Sequence, residues 1–228
     1  AKKKGTFALV LKNAKELLKN QVEVNILCVL TKQSAKKISS IYGFLKKEGF
    51  YYQQYIPCLD ALGEEEGQHP WSLTPKVYGE ALKELFDLWF EDIQKGNIVS
   101  VREFDNWLSI LKGLPPEACS QSGRCSMQNI VEANGDIYPC DFYVLDPCRV
   151  ANVQDENFRF FQGILPNMEF FKEGMKRGEA CKECKWYPLC RGGCRRNYTK
   201  ENKNYFCEAY QEFFEYTIAR WEWLAARL

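Results

Sequence analysis

The stretch Cys181-Lys-Glu-Cys184-Lys-Trp-Tyr-Pro-Leu-Cys190-Arg-Gly-Gly-Cys194 sets four thiols within fourteen residues, at C-x2-C-x5-C-x3-C spacing. The opening C-x2-C lets two thiolates turn toward one ion or cluster. Pro188 bends the chain back, and Gly192-Gly193 lets the backbone wrap closely. Cys207 follows, and Cys119, Cys125 and Cys140 precede, so eight cysteines fall in the C-terminal half, the number that two four-thiolate sites need. Thiolates suit zinc and iron–sulfur clusters alike. Zinc ribbons favour paired C-x2-C knuckles, and only Cys181/Cys184 forms one here. The irregular remaining spacings suit bulkier cubane clusters better, and spacing alone goes no further.

Composition narrows the context. Eleven cysteines in a chain with no opening secretion signal point to a reducing, cytoplasmic setting and to metal or redox chemistry, not a disulfide scaffold. A single histidine, His69, limits mixed Cys/His zinc sites and histidine acid–base catalysis. The net charge of +1 gives no bulk attraction to nucleic acid or anionic membrane. The longest apolar runs, such as residues 26–30, are far too short to span a bilayer.

The elements that must position these thiols begin with an α/β pattern. Residues 6–20 read as an amphipathic helix capped by Thr6, with Leu9, Val10, Ala14, Leu17 and Leu18 on one face. Residues 22–30 read as a buried parallel strand. Ser34 caps a helix of about fourteen residues ending at Gly49, and a strand over 50–56 stops at Pro57. Strand, helix, strand is a βαβ unit, whose ligands sit beyond the C-terminal strand ends, here Thr31-Lys32-Gln33 and Pro57-Cys58-Leu59-Asp60. The glutamates at 64–66 belong to a solvated surface loop. Thr74-Pro75 opens a long helix, buried along Val77, Ala81, Leu85 and Leu88/Trp89 and ended by Gly96. A strand over 98–102 and a helical turn over 104–111 lead to a boundary at Gly113 and Pro115-Pro116. So few strands leave a sheet edge open and cannot close a barrel, so this half reads as the back end of something larger.

In the second half, Asn134-Gly135 predicts a β-hairpin over 128–139. Cys140-Asp141 follows at once, delivering a thiolate and a carboxylate to one place. Asp141 is either a proton acceptor there or a turn residue bonded to nearby backbone. Residues 150–155 and an amphipathic segment lead on to Cys181. A C-terminal helix over 208–227 carries Tyr210, Phe213, Phe214, Ile218 and Trp221, a stripe of core-packing type. Cys28 reads as strand packing, Cys58 as a site-lining residue without a role, and Cys148 as a loop bystander.

Gly135-Asp-Ile-Tyr-Pro-Cys140-Asp141-Phe-Tyr, Cys184-Lys-Trp, Leu-Cys190-Arg-Gly-Gly-Cys194-Arg-Arg and Cys207 together resemble the SPASM domain of the anaerobic sulfatase-maturating enzymes, which are radical SAM proteins. The likeness runs back through Phe104-Asp105, Leu88-Trp89, Ile56-Pro-Cys-Leu-Asp60 and Asn25-Ile-Leu-Cys-Val29, nearly the whole chain. The resemblance implies an α/β chain: residues 1–113 as the C-terminal portion of a partial (β/α)6 radical SAM barrel, and 114–228 as a cysteine-rich SPASM domain with a β-hairpin and a C-terminal helix. It implies oxidation of a sulfatase's Cys or Ser to formylglycine. It also implies two auxiliary [4Fe–4S] clusters, one on Cys119, Cys125, Cys140 and Cys194, the other on Cys181, Cys184, Cys190 and Cys207. Asp141 matches the base that takes the substrate proton, and Leu59 matches a backbone contact to S-adenosylmethionine. The implied partners are an unfolded sulfatase peptide and an electron-transfer protein, with no nucleic acid and no membrane.

One departure is decisive for this chain. No C-x3-C-x2-C motif occurs, and Cys190-x3-Cys194 has Asn197 three residues on. The first barrel strands and most S-adenosylmethionine contacts are also missing. The expectation is a C-terminal piece that carries the auxiliary clusters and cannot run the radical reaction alone. The rival readings are a two-cluster electron-transfer module, which would need no βαβ platform, and a structural zinc-binding module.

Overall fold

The computed structural model describes residues 5–155 and 168–227. Helix α1 (Phe7–Lys19) precedes strand β1 (Asn25–Leu30), and the helices α2 (Lys32–Ala35) and α3 (Ile38–Lys47) lead to β2 (Tyr52–Pro57). Helix α4 (Pro75–Gln94) follows, then β3 (Ser100–Val101) and α5 (Arg102–Leu111). The strands pair in the order β1-β2-β3, all parallel, with Asn25 opposite Tyr52 and Tyr52 opposite Ser100. Parallel neighbours require crossovers, and α2–α3 and α4 supply them. Thr74 caps α4 as expected, accepting from the Val77 amide at 3.5 Å with Pro75 in the first turn.

Several local expectations are corrected. Thr6 makes no side-chain cap, and the core-facing line of α1 is Leu11, Ala14 and Leu18, while Leu9, Val10 and Leu17 are exposed. Strand β1 is not buried on both faces: it is a sheet edge, and Leu27 and Val29 are more than half exposed. The helix after β1 is broken in two. Thr31, not Ser34, is its cap, and Ser34 returns the bond to the Thr31 amide at 2.7 Å in a capping box. In α4 the buried line is fuller than the apolar period suggested, with Tyr78, Leu82 and Phe86 joining Ala81, Leu85 and Trp89, while Val77 and Leu88 are only half-buried.

The chain divides into two compact units, residues 1–108 with 212–228, and residues 109–211. In the first, an aromatic core holds Phe86, Trp89, Phe104, Trp107, Phe213 and Trp221, with Phe86 and Trp221 ring centres 4.8 Å apart and Trp107 and Phe213 5.1 Å apart. The aromatic stripe of the C-terminal helix α9 (Cys207–Ala225) is therefore core packing, as its period predicts. A smaller cluster of Ala14, Leu45 and Phe50 holds Cys28 against its edge. Asp92 ties α3 to α4, accepting from Tyr42 Oη at 2.7 Å and pairing with Lys46. Burial opposes the Asp92 charge, but those donors hold its carboxyl below the usual range.

The second unit has little regular structure. Helix α6 (Cys119–Ser122) precedes the strands β4 (Ile130–Val131), β5 (Asp136–Tyr138) and β6 (Ala151–Asn152). Strands β4 and β5 form the expected antiparallel hairpin, with Gly135 at φ +86° in its turn, and β6 adds a third strand beside β5. Helices α7 (Glu169–Met175) and α8 (Tyr187–Cys190) follow. Most of the amphipathic segment expected after residue 155 lies outside the described residues.

Candidate metal centre

All eight cysteines of the expected sites are free thiols, each half-buried, within the second unit. Their mutual electrostatic influence separates them into two sets. Cys194 feels Cys119 and Cys125, Cys140 feels Cys194, and Cys125 feels Cys119. Cys190 feels Cys207, Cys181 and Cys184, and Cys207 feels Cys181 and Cys184. No thiol of one set perturbs a thiol of the other in any of these pairings. Among the described residues, no three His, Cys, Asp or Glu side chains are gathered closely enough to grip a single metal ion.

Each thiol is delivered by a short turn. In the first set, Cys119 opens α6, Cys140 directly follows the hairpin, and Cys194 precedes the 3-10 turn Arg195–Asn197. Cys125 lies against α7, where a Cβ on Gly174 would come within 2.7 Å of its sulfur. In the second set, Cys181 ends the turn Glu179–Cys181, Cys190 ends α8 and Cys207 begins α9. Between Cys190 and Cys194 the residues Arg191, Gly192 and Gly193 all have positive φ, +50°, +87° and +70°. That run turns the chain sharply between Cys190 and Cys194, in backbone conformations that suit glycine.

Donors surround the sulfurs. Backbone amides of Phe142, Gly192 and Arg196 reach Cys140, Cys190 and Cys194 respectively, favouring thiolate. Gln128 Nε2 lies 3.5 Å from Cys119 Sγ, and Gln211 Nε2 lies 3.7 Å from Cys184 Sγ. Burial first, then neighbouring thiols, still push Cys190 up to about 12 and Cys194 to about 11, while burial and then the Asp141 carboxylate push Cys140 up to about 12. Two sets of crowded thiols furnished with N–H···S donors fit a cation-bearing group, whose charge would offset that repulsion. The two guanidinium groups near Cys125, from Arg195 and Arg177, also ease it.

Asp141 stands exposed in the turn Asp141–Tyr143, with Oδ1 3.4 Å from Cys140 Sγ. The carboxylate and thiol do arrive together. Leu59 lies in the first unit, half-buried in the loop after β2, and its carbonyl accepts from Cys58 Sγ at 3.9 Å. The same loop is pinned to β1 by the Cys58 amide bonding Leu30 O at 2.9 Å. The glutamate run is exposed at Glu64, which meets His69 at 2.8 Å. Sequence reasoning missed Gln128, Gln211 and Arg177. Only Gln211 had a legible signal, being one helical turn beyond Cys207 on the same face of α9.

No family model matches the sequence. Among curated proteins, a cysteine-type anaerobic sulfatase-maturating enzyme of Clostridium novyi is 42% identical over 233 residues, covering 100% of this chain and 62% of that protein. One of Clostridium perfringens is 44% identical over 220 residues, covering 94% of this chain and 60% of that protein. The solved structure "Native anSMEcpe with bound AdoMet" superposes with a TM-score of 0.92 at 43% identity, covering 98% of this chain and 62% of that one. Along almost its whole length the chain is similar to part of the anaerobic sulfatase-maturating enzymes. It spans about three fifths of the length of these family members. A serine-type member from Bacteroides thetaiotaomicron is more distant, 24% identical over 253 residues. The solved family structures include "Native anSMEcpe with bound AdoMet and Kp18Cys peptide", at TM-score 0.92.

Proposed function

We propose that this chain is the auxiliary-cluster portion of a radical SAM sulfatase maturase. In this reading it ends a partial barrel and continues as a SPASM domain. Its complete form oxidises a Cys or Ser of an unfolded sulfatase peptide to formylglycine in the cytoplasm, with an electron-transfer protein as redox partner. The observation that carries this reading is eight thiols gathered in the second unit, with a positive-φ run joining Cys190 to Cys194 and Asp141 Oδ1 3.4 Å from Cys140 Sγ. Two [4Fe–4S] clusters would supply one-electron acceptors there.

The chain's own residues do the rest. Cys119, Cys125, Cys140 and Cys194 would hold one cluster, and Cys181, Cys184, Cys190 and Cys207 the other. Amides and the two glutamines steady the sulfurs and spread their charge. Asp141, exposed beside the first set, takes the proton from the target thiol or hydroxyl at a carboxylate oxygen. The Leu59 backbone contributes one contact to S-adenosylmethionine at the end of β2. The cysteine-type relatives at 42–44% identity favour a cysteine target over a serine.

The test is direct. The cluster-loaded chain, given S-adenosylmethionine, reductant and a cysteine-bearing sulfatase peptide, yields no formylglycine. A chimera completed with the remaining part of the Clostridium perfringens relative does. Formylglycine from the chain alone, or none from the iron-loaded chimera, contradicts the reading.

A further inference from the structure

Tyr198 carries a polar atom that the proposed function leaves unused. Its hydroxyl is buried and has no hydrogen-bond partner among the described residues. A buried phenol oxygen without a partner is costly, so the fold holds it there against that penalty. The ring is fixed on both sides. Its backbone bridges to Asn204, and the Arg177 guanidinium lies 5.3 Å from its centroid. Arg177 cannot serve as acceptor, because guanidinium only donates. Its nitrogens are already directed at the carbonyls of Arg191, Gly123 and Gly174, at 3.1, 2.7 and 3.0 Å.

The hydroxyl faces the backbone that carries the thiols. A Cβ on Gly192 would lie 2.9 Å from Tyr198 Oη, so the hydroxyl abuts the middle of the segment joining Cys190 to Cys194. Those two cysteines belong to different sets, four residues apart, so the chain limits their Cα separation to about 14 Å. Burial raises the phenol, Arg177 lowers it, and the thiols of Cys181, Cys190 and Cys194 raise it in that order. Tyr198 Oη thus sits against the segment that links a thiol of one set to a thiol of the other.

We propose that Tyr198 is a positioning and tuning residue between two iron–sulfur clusters, its hydroxyl donating a hydrogen bond to a sulfur of the cluster held by Cys181, Cys184, Cys190 and Cys207. This rests on the two-cluster reading above. A hydrogen bond to sulfur favours the more negative, reduced cluster, so it raises the reduction potential. It makes the second cluster a better electron acceptor than it would be without that bond.

The test is Tyr198→Phe in the anaerobically reconstituted chain, which keeps the ring and its packing on Arg177. Iron and sulfide content should be unchanged. An EPR-monitored redox titration should show one cluster's midpoint falling, about tenfold in electron affinity or about 59 mV for a one-electron couple. Proton ENDOR of the reduced parent protein should show a solvent-exchangeable coupling that the variant lacks. Unchanged midpoints with the coupling retained, or loss of iron from the variant, would overturn the inference. Zinc bound in place of iron in the parent chain would overturn this inference and the two-cluster reading together.

Discussion

At the scale of single residues, the sulfurs and their donors decide the chemistry. If the partition into two sets is the functional one, removing one thiol should empty its own set and spare the other. Cys184→Ala should lower the iron content from about eight to about four atoms per chain. Cys194→Ala should do the same for the opposite set, and the EPR signals surviving in the two variants should differ. Identical residual signals would contradict the assignment. Asp141 is exposed, and among the described residues its side chain meets Cys140. In the chimera, Asp141→Asn should therefore keep full iron content and lose 10²- to 10⁴-fold in turnover, read by mass spectrometry of the peptide. The cysteines stood out as candidates because their spacing is chemical, and Asp141 because it directly follows Cys140. Gln128 and Arg177 did not, since a glutamine in a loop or an arginine before a glycine has no local signature. What Arg177 does depends on carbonyls from Gly123 and Arg191, which only folding brings to it.

At the scale of elements, the hairpin and the α3–α4 contact are the parts most open to test. Gly135 combines φ +86° with a would-be Cβ contact of 2.8 Å to Val153. Gly135→Ala should cost about 1–2 kcal/mol in the second unit and weaken iron retention by the set containing Cys140, because β5 leads straight into that thiol. The α3–α4 contact rests on a buried charge. Asp92→Ala leaves Tyr42 and Lys46 without their shared acceptor, and denaturant unfolding should show a loss of about 3 kcal/mol. Strands, the long helix and the hairpin could all be read in advance, since period, caps and Asn-Gly are local. An open sheet edge was expected, but not the outward Leu27 and Val29 of β1 or the outward Leu9 and Val10, because an apolar run reads the same whether or not anything covers it. The split of α2 from α3 escaped for a similar reason: Thr31 and Ser34 are both good caps, and the capping box uses them together.

At the scale of the whole molecule, the two units differ in what sustains them. The first has an aromatic core and a half-buried carboxyl, Glu103, which desolvation pushes up to about 7 from 4.5 although the Tyr55 amide donates to it. A raised carboxyl favours the fold below about pH 4.5, and that contribution is lost as the pH rises through about 7. Glu103→Gln should accordingly raise stability by about 2–3 kcal/mol above pH 7 and flatten the pH dependence of unfolding between these limits. The second unit has short helices and two- or three-residue strands, so its order should depend on what its thiols hold. The family resemblance was visible in the cysteine pattern, whereas the length shared with relatives, about three fifths, came only from comparison. The most direct measurement is metal and sulfide analysis of the anaerobically purified chain with Mössbauer spectroscopy. The account predicts about eight irons and eight sulfides per chain, all in [4Fe–4S] form. About two zinc ions and no sulfide would contradict it.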